Sequence, residues 1–236
     1  MTAQVAQRYH RYTPQDHAVW AQLYERQMQL LHTHAAPQLL KGRELLGIRA
    51  EKIPNFAHVS QRLSPLTGWR IECVDGKVAP TRMFGYLSRK WFPANRNIRS
   101  LEYIDFSPGP DAFHDVFGHL PPLTDPAFAG YMQRYGILGV KTRSPEELEL
   151  LNRLYFRTAE FGLIETPQGL KIYGSALSTS GGECTYAFGP QATRVPLSLE
   201  RVFETPVQDE HFQEQYFVIE SFRQLEDAIN SPALLQ

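Results

Sequence analysis

Three times in this sequence a proline directly follows a residue type that caps helices, and apolar residues at helical spacing come after it. The pairs are Thr13-Pro14, Asp125-Pro126 and Ser144-Pro145. A Ser, Thr or Asp side chain accepts a hydrogen bond from the first turn of a helix, and proline is favoured at the first helical position. These signals predict that helices are the main elements of the fold.

The ends of the predicted helices are marked mainly by glycine and proline. Gly47 is expected to end one helix, the Ser64-Pro65 pair a second and Gly136 a third. Besides the helix that opens at Pro14, the expected spans are 37–46, 55–63, 126–136 and 145 to about 160–162.

A little β-structure is expected beside the helices. Residues 69–78 alternate apolar and charged side chains around the turn dipeptide Asp75-Gly76, which predicts a short hairpin. The segment QYFVIES, which contains Tyr216, is strand-like. The predicted fold class is therefore predominantly α with small β additions.

Composition favours one domain without a general affinity for nucleic acid or membranes. The chain has 236 residues, 42% of them apolar, and a net charge of −1. We expect a single domain over 1–236, with flexible ends at about 1–12 and 231–236. No segment approaches the ~18 apolar residues of a membrane span, and the N-terminus lacks a signal-peptide pattern. Cys73 and Cys184 do not form a disulfide framework or a zinc motif, so a cytoplasmic protein with reduced thiols is expected.

Two histidines five residues apart and a distant glutamate are the main candidates for a chemical site. His114 and His119 stand in PDAFHDVFGH, and Glu160 stands in LYFRTAEFG. Two imidazoles and one carboxylate are the ligand set that leaves open positions on a non-haem iron(II) for oxygen chemistry. An ideal α-helix places residues five apart on different faces. We therefore expect the helix that begins at Asp111 to end at Gly118, which would bring the second histidine back beside the first.

The spacing by itself leaves other interpretations open. Zinc peptidases place two histidines four residues apart with a glutamate between them, whereas here Asp115 directly follows His114 and the second histidine comes one residue later. The same three side chains suit a zinc hydrolase that activates a metal-bound water, or a metal site without catalysis. Two polar side chains satisfied near a helix end would show the same pattern.

Four segments in the same order resemble the pterin-dependent aromatic amino acid hydroxylases. FHDVFGHLPPLTDPAFAGYMQRYG resembles the iron-binding segment of that family, and LYFRTAEFGLIE resembles the segment with its third ligand. The resemblance continues in RKWFPANRNIRSLEYIDFSPGPD and LKIYGSALSTSGGE and covers nearly the whole chain. It implies a basket of helices around an iron pocket. Like the bacterial members, the chain looks like a catalytic domain alone, and a monomer is expected.

The resemblance also implies roles for individual residues. It implies that His114, His119 and Glu160 bind the iron, and that Arg99 binds the substrate carboxylate through its guanidinium fork. An ordinary ion pair of Arg99 with Glu102 or Asp105 is the alternative. The remaining implied contacts are to the substrate from Ser107, Phe156, Thr179 and Ser180, to the pterin from Met83, Phe84 and Asp115, and to the iron pocket from Tyr155. For Thr179 and Ser180, capping of a helix over 181–188 is compatible with such a role.

The implied reaction is hydroxylation of an aromatic amino acid ring, by default of phenylalanine to tyrosine. Splitting O₂ for this purpose needs two extra electrons, which no side chain supplies, so the implied cofactors are Fe(II) and a tetrahydropterin, either tetrahydrobiopterin or a related bacterial pterin. Met83 stands where the family usually has a phenylalanine stacked on the pterin. Phe156 stands where phenylalanine hydroxylases usually have tryptophan and tryptophan hydroxylases have phenylalanine. Tryptophan 5-hydroxylation, or attack on another carbon of phenylalanine, is therefore the alternative.

The stretch TRMFGYLSRKWFPANRNIR allows a different class of function. It mixes cationic and aromatic side chains, as a surface that binds single-stranded nucleic acid does. A solvated helix face above buried aromatic rings explains the same mixture, and the nearly neutral net charge favours that explanation. We expect no nucleic-acid partner.

Overall fold

Ten α-helices and six short β-strands form most of the regular structure of the described residues, which are 5–104, 109–207, 211–231 and 234 of a computed structural model. The helices are α1 (Pro14–His34), α2 (Pro37–Leu46), α3 (Phe56–Thr67), α4 (Pro80–Leu87), α5 (Pro126–Lys141), α6 (Pro145–Tyr155), α7 (Ser175–Thr179), α8 (Gly181–Ala187), α9 (Leu199–Glu204) and α10 (Phe222–Ile229). The strands are β1 (Arg70–Val74), β2 (Trp91–Asn95), β3 (Leu163–Thr166), β4 (Gly169–Ile172), β5 (Thr193–Pro196) and β6 (Gln215–Ile219). The predicted class, predominantly α with small β additions, is confirmed.

The predicted helix starts are present with their side-chain caps. Thr13 Oγ1 accepts a hydrogen bond from the backbone N–H of Asp16, and the Asp16 carboxylate accepts one from the backbone N–H of Thr13. The side chains of Asp125 and Ser144 accept from the first turns of α5 and α6. Local capping chemistry therefore sets where these helices begin.

Two predicted helix ends are wrong. Helix α3 continues through Pro65 and ends at Gly68, whose φ of 80° suits glycine. The proline removes only one backbone hydrogen bond, and the extra turn keeps buried Leu63 within the helix. Helix α5 continues through Gly136 because the glycine serves helix packing: a Cβ there would lie 2.3 Å from the backbone nitrogen of Ser88. Glycine at this position lets α5 lie directly against the end of α4.

The predicted hairpin over 69–78 is also wrong. Strand β1 pairs in parallel with β2, and α4 lies between them in the chain, so the unit is a βαβ crossover. Gly76 does form a turn, with φ of 80°. Its neighbour Asp75 accepts hydrogen bonds from the side chains of Arg96 and Asn97, which follow β2. The turn is therefore tied to a strand that comes later in the chain.

A second sheet, with strand order β4-β3-β6-β5, lies beside the helices. Strands β3 and β4 are antiparallel, whereas β6 runs parallel to both β3 and β5. The apolar core that these elements enclose contains Trp20, whose ring lies 5.3 Å from that of Phe113, and Phe113 stacks on Phe117 at 4.6 Å. The two phenylalanines place this core directly behind the histidine segment.

Part of the expected flexible N-terminus is tied to the core. Gln7 donates a hydrogen bond to the Pro54 carbonyl and accepts one from the Phe56 backbone N–H. The Tyr12 hydroxyl donates to the Arg96 carbonyl. Gln7 and Tyr12 thus satisfy backbone groups beside α3 and β2 that have no partner within those elements. Among the described residues, no helix is long and apolar enough to span a bilayer.

Candidate metal centre

The histidines and the glutamate lie on two π-helical segments, His114–His119 and Phe156–Glu160. A π-helix bonds residue i to residue i+5, so residues five apart lie one turn apart on the same side. The Nε2 atoms of His114 and His119 are accordingly 3.1 Å apart. The expected helix end at Gly118 is wrong, because the wider turn continues through this residue and brings the two rings together.

The start of the histidine segment agrees with the prediction. Asp111 Oδ1 accepts a hydrogen bond of 3.0 Å from the backbone N–H of His114, as a helix cap does. Phe113 and Phe117, which precede and follow His114 in the chain, are buried and stacked in the core. The backbone of His114 is therefore held by the cap from Asp111 and by the packing of these two rings.

The Glu160 carboxylate faces both histidines. Its Oε1 lies 3.1 Å from His119 Nε2, and its Oε2 lies 3.5 Å from His114 Nε2. Two ligand atoms that lie about 2.1 Å from one metal ion, at right angles, are about 3 Å apart. Two imidazole nitrogens and a carboxylate at these distances fit one divalent cation, which would neutralise the carboxylate and occupy both nitrogen lone pairs.

The charge of Glu160 and the hydrogen bonding of His114 also suit a cation. Burial raises the pKa of Glu160, but His119 and His114 outweigh this effect and hold the pKa at about 2, so the side chain is a carboxylate. Thr179 Oγ1 donates to the Ser175 carbonyl at 2.8 Å, and so it accepts from the Nδ1–H of His114 at 3.1 Å. A proton on Nδ1 leaves Nε2 of the same ring with a free lone pair.

Ser175 lies at the centre of the cluster, although no sequence motif singles it out. Its hydroxyl donates to Glu160 Oε2 at 2.5 Å and lies 2.9 Å from His119 Nε2. The residue stands in LKIYGSALSTSGGE, a segment with family-like sequence, but the contact arises only because α7 packs against both π-helical segments.

A second acid, Asp115, is close to both histidines. One of its oxygens and the ligand nitrogens of His114 and His119 lie within 4.8 Å of one another. Its Oδ2 accepts a hydrogen bond of 2.7 Å from the backbone N–H of Asn95, and burial raises its pKa to about 7. Glu160 contacts both histidine nitrogens directly and is ionised, so the geometry favours Glu160 over Asp115 as the third ligand.

Arg99 forms a buried ion pair with Asp111, and not with Glu102. Its Nε and Nη2 donate to the two oxygens of Asp111 at 2.8 and 2.9 Å, and both side chains are only 7% exposed. Burial raises the pKa of Asp111, but the hydrogen bonds and charge of Arg99 outweigh this effect and keep the pKa below its usual value. The same aspartate caps His114, so the guanidinium is held at a fixed place beside the histidine segment. Asp105, the other predicted partner, lies outside the described residues.

The other predicted site residues lie at different distances from the cluster. The ring of Tyr155 stacks on that of His119, with 6.1 Å between the centroids. Phe156 belongs to the same segment as Glu160, and its ring packs at 4.6 Å against Phe161. Ser180 caps α8 through the backbone N–H of Glu183. Ser107 lies outside the described residues.

The two residues expected to contact the pterin have different surroundings. Phe84 is 3% exposed and packs against Tyr135 in the interface between α4 and α5, so its ring is not available to a ligand. Met83 is half-buried and packs against the edge of the core. Phe84 is therefore a core residue that supports the helix on which Met83 stands.

Comparison with known families agrees with this site. A model of the biopterin-dependent aromatic amino acid hydroxylases matches residues 4–233. The chain belongs to this family, and it is a pterin-dependent aromatic amino acid monooxygenase. Of the two interpretations of the site, the family assignment supports oxygen chemistry on iron and argues against a zinc hydrolase.

The bacterial relatives at 36–43% identity are named phenylalanine-4-hydroxylases, and two mammalian relatives at 32–33% identity are named tyrosine 3-monooxygenases. The chain is 43% identical over 220 residues to the phenylalanine-4-hydroxylase of Ralstonia nicotianae, which covers 93% of this chain and 70% of that protein. It matches the phenylalanine hydroxylase of Chromobacterium violaceum with bound iron(III) and 7,8-dihydrobiopterin at a TM-score of 0.94 and 40% identity, over 99% of this chain and 85% of that chain. The cobalt-bound form of that enzyme matches at a TM-score of 0.95 and 40% identity, over 99% and 86%. The predicted family, fold and enzyme class are confirmed.

Proposed function

We propose that this protein hydroxylates phenylalanine to tyrosine with iron(II), a tetrahydropterin and O₂. The observation that carries the proposal is the convergence of His114, His119 and Glu160, whose ligand atoms lie 3.1–3.5 Å apart. The relatives at about 40% identity, which are named phenylalanine-4-hydroxylases, support phenylalanine as the substrate. Bound iron and reduced pterin would supply oxygen activation and the two electrons that side chains lack.

His114, His119 and Glu160 are proposed as the residues that would hold the iron. Glu160 would contribute the negative charge and the two imidazoles would contribute nitrogen lone pairs, which is a ligand set suited to oxygen chemistry on iron(II). Thr179 fixes the tautomer of His114. Tyr155, whose ring stacks on that of His119, is proposed to line the iron pocket.

The substrate carboxylate is proposed to bind Arg99. Two nitrogens of its guanidinium are held by Asp111, and within the described residues its Nη1 makes no hydrogen bond. An N–H group fixed in this way can donate to an amino acid carboxylate without reorganising. Ser107, the ring of Phe156 and the hydroxyls of Thr179 and Ser180 are proposed to make the other contacts with the substrate.

The pterin is proposed to lie between Met83 and Asp115. A methionine thioether packs against an aromatic ring system, although it covers less of the ring than phenylalanine does. Asp115 is held by the backbone of Asn95 and offers a polar contact near the histidines. Phe84 is proposed to act only through packing, since α5 covers its ring.

Tryptophan remains a second candidate substrate because of Phe156. The smaller ring at this place would leave room for an indole, since the tryptophan hydroxylases have phenylalanine at the matching position. Phe156 packs on Phe161 and is only partly buried, so it has surface left for such a contact.

We further propose that residues 1–236 form one domain that acts as a monomer in the cytoplasm. One continuous apolar core joins residues from Val19 to Ile229. Cys73 and Cys184 are both free thiols, as is usual in a reducing compartment. Light scattering after gel filtration would measure the mass in solution, and a dimer would contradict the proposed state.

The function can be tested by anaerobic reconstitution with iron(II), followed by addition of oxygen, a tetrahydropterin and one amino acid at a time. We expect tyrosine from phenylalanine, with formation dependent on both iron and pterin and detected by chromatography and mass spectrometry. If hydroxytryptophan forms faster than tyrosine, tryptophan would replace phenylalanine as the proposed substrate. Protein that holds iron but yields no hydroxylated amino acid would contradict the proposal.

A further inference from the structure

Ser175 is a buried hydroxyl that contacts two of the three proposed ligands. The side chain is 1% exposed, and its Oγ lies 2.5 Å from Glu160 Oε2, 2.9 Å from His119 Nε2 and 3.1 Å from the Ala159 carbonyl. No other described hydroxyl has a hydrogen bond to the Glu160 carboxylate. Its position is therefore unlike that of Thr179, which reaches His114 from the outer side of the ring.

The number of protons restricts what this hydroxyl can do. A serine has one proton to donate, and both the Glu160 oxygen and the Ala159 carbonyl are acceptors. When a metal occupies Nε2 of His119, that nitrogen has neither a proton nor a free lone pair, so it no longer hydrogen-bonds to the serine. The proton of Ser175 then goes to Glu160 or to Ala159, and the charged acceptor with the shorter distance is favoured.

Packing prevents Ser175 from moving away from the cluster. A Cβ on Gly118 would lie 3.0 Å from the Ser175 Cβ, so the histidine segment is in close contact with α7 at this residue. A Cβ on Gly174 would lie 2.4 Å from the Glu160 carbonyl oxygen. The two glycines let the start of α7 approach both π-helical segments, and so the hydroxyl is held at their junction.

We propose that Ser175 is a positioning residue that donates to Oε2 of Glu160 and so keeps Oε1 as the oxygen available to the metal. The proposal rests on the proposed iron-binding role of His114, His119 and Glu160. A hydrogen bond to one oxygen lowers the tendency of that oxygen to bind the metal as well, and it fixes the plane of the carboxylate. The hydroxyl therefore controls whether one or both carboxylate oxygens bind the metal.

The test compares metal binding by the wild type and the variants Ser175→Ala, Ser178→Ala and Glu160→Ala. Ser178 is a matched control, since it is a buried serine of α7 whose hydroxyl donates to the Ser175 carbonyl and has no contact with the ligands. Iron(II) affinity is measured anaerobically by competition with a chelator. The visible absorption spectrum of the cobalt(II) protein is recorded as well, because it changes with the number of ligand atoms.

We expect Ser175→Ala to weaken iron(II) binding about tenfold and to change the cobalt(II) spectrum. Ser178→Ala should change neither. An unchanged affinity and spectrum in Ser175→Ala would overturn the proposal, as would equal losses in Ser178→Ala or a weaker affinity with an unchanged spectrum. Absence of metal binding by the wild type, or full binding by Glu160→Ala, would instead contradict the proposed iron site.

Discussion

At the scale of single residues, the ion pair between Arg99 and Asp111 connects the proposed substrate contact to the metal site. Asp111 accepts from the guanidinium and also from the backbone N–H of His114. An Arg99→Ala variant would leave a buried carboxylate without its cation and would disturb the histidine as well. A variant that keeps the charge therefore separates the two roles better.

We expect Arg99→Lys to raise the KM for phenylalanine by about tenfold or more, because an ammonium has no counterpart of the Nη1 group that the guanidinium keeps in place while its Nε and Nη2 bind Asp111. Iron(II) affinity should stay within about threefold, since a charge remains beside Asp111. Steady-state kinetics and chelator competition measure the two quantities. Arg96→Lys is the matched control, because Arg96 pairs with Asp75 away from the histidines. An unchanged KM in Arg99→Lys would remove Arg99 from the carboxylate role.

The buried carboxyl group of Glu183 is expected to make the stability of the fold depend on pH. Its Oε1 accepts from the backbone N–H of Gln213 and from the hydroxyl of Tyr216, and the residue is 6% exposed. Burial raises the pKa of Glu183, and the hydrogen bonds and Arg157 offset this effect only in part. A carboxyl whose folded pKa is raised stabilises the fold less as pH rises above its unfolded pKa of 4.5.

We therefore expect Glu183→Gln to gain stability relative to the wild type as pH rises from 4.5 towards neutrality. Glutamine keeps the oxygen that accepts from Gln213 and Tyr216, so the change is mainly one of charge. Urea unfolding of both proteins at several pH values gives the difference in free energy. A difference that is constant with pH would show that Glu183 titrates alike in the folded and unfolded states. Glu165→Gln, at an exposed position of β3, serves as the control.

The ring at position 156 is expected to influence substrate preference. Phe156→Trp should lower kcat/KM for tryptophan relative to phenylalanine, because a larger side chain leaves less room for an indole. Competition between the two amino acids in one reaction measures this ratio directly. Equal effects on both substrates would show that this position does not select ring size.

At the scale of elements, the two π-helical segments are the features that create the site. Arg157, inside the second segment, donates to the side chain of Gln213 and to the carbonyls of Pro206 and Gln215. This buried cation joins the segment with Glu160 to the chain just before β6. The wider turns persist because contacts on both sides hold them, since local sequence alone favours α-helical hydrogen bonding.

The close contact between α4 and α5 predicts how substitutions of glycine in these helices change the stability of the fold. Gly136→Ala should destabilise the fold by about 2 kcal/mol or more, because the added Cβ would meet backbone atoms of Leu87 and Ser88 that cannot easily move. Gly85→Ala on α4 is the control: a Cβ there has no neighbour within 4 Å, so alanine should stabilise by about 0.5–1 kcal/mol. Denaturant unfolding measures both. A stabilising effect of Gly136→Ala would contradict the close contact of the helices.

At the scale of the whole molecule, the apolar core and the metal site are separable. The core is continuous across helices and sheet, and the proposed ligands lie on its edge, so we expect folding not to depend on the metal. Thermal unfolding with and without iron(II) under anaerobic conditions tests this separation. We expect the same helical content in both forms and about 2.7 kcal/mol of added stability when free iron is at 100 times its Kd.

Glu160→Ala should keep the melting temperature of the metal-free protein within a few degrees and lose the stabilisation by iron. A metal-free protein without helical circular dichroism would show instead that the metal is needed for folding.

Features that depend on neighbouring residues were predictable from the sequence, whereas contacts between distant segments were not. The starts at Thr13, Asp125 and Ser144 were predicted correctly because a cap and its partner lie within four residues of each other. The helix ends expected at Pro65 and Gly136 were predicted wrongly, because packing against other elements extends those helices beyond these residues. The parallel pairing of β1 with β2 likewise depends on a strand beyond α4.

The sequence by itself determined the helical class, the family and the three candidate metal ligands. These follow from residue types at short spacing and from motifs that occur in a fixed order. Only the tertiary structure decided that a π-helical turn aligns the histidines, that Arg99 pairs with Asp111, that Phe84 is covered by α5, and that Ser175 lies between the ligands. These relations join segments that are 12–56 residues apart in the chain or depend on packing from several sides, and local preferences cannot specify such contacts.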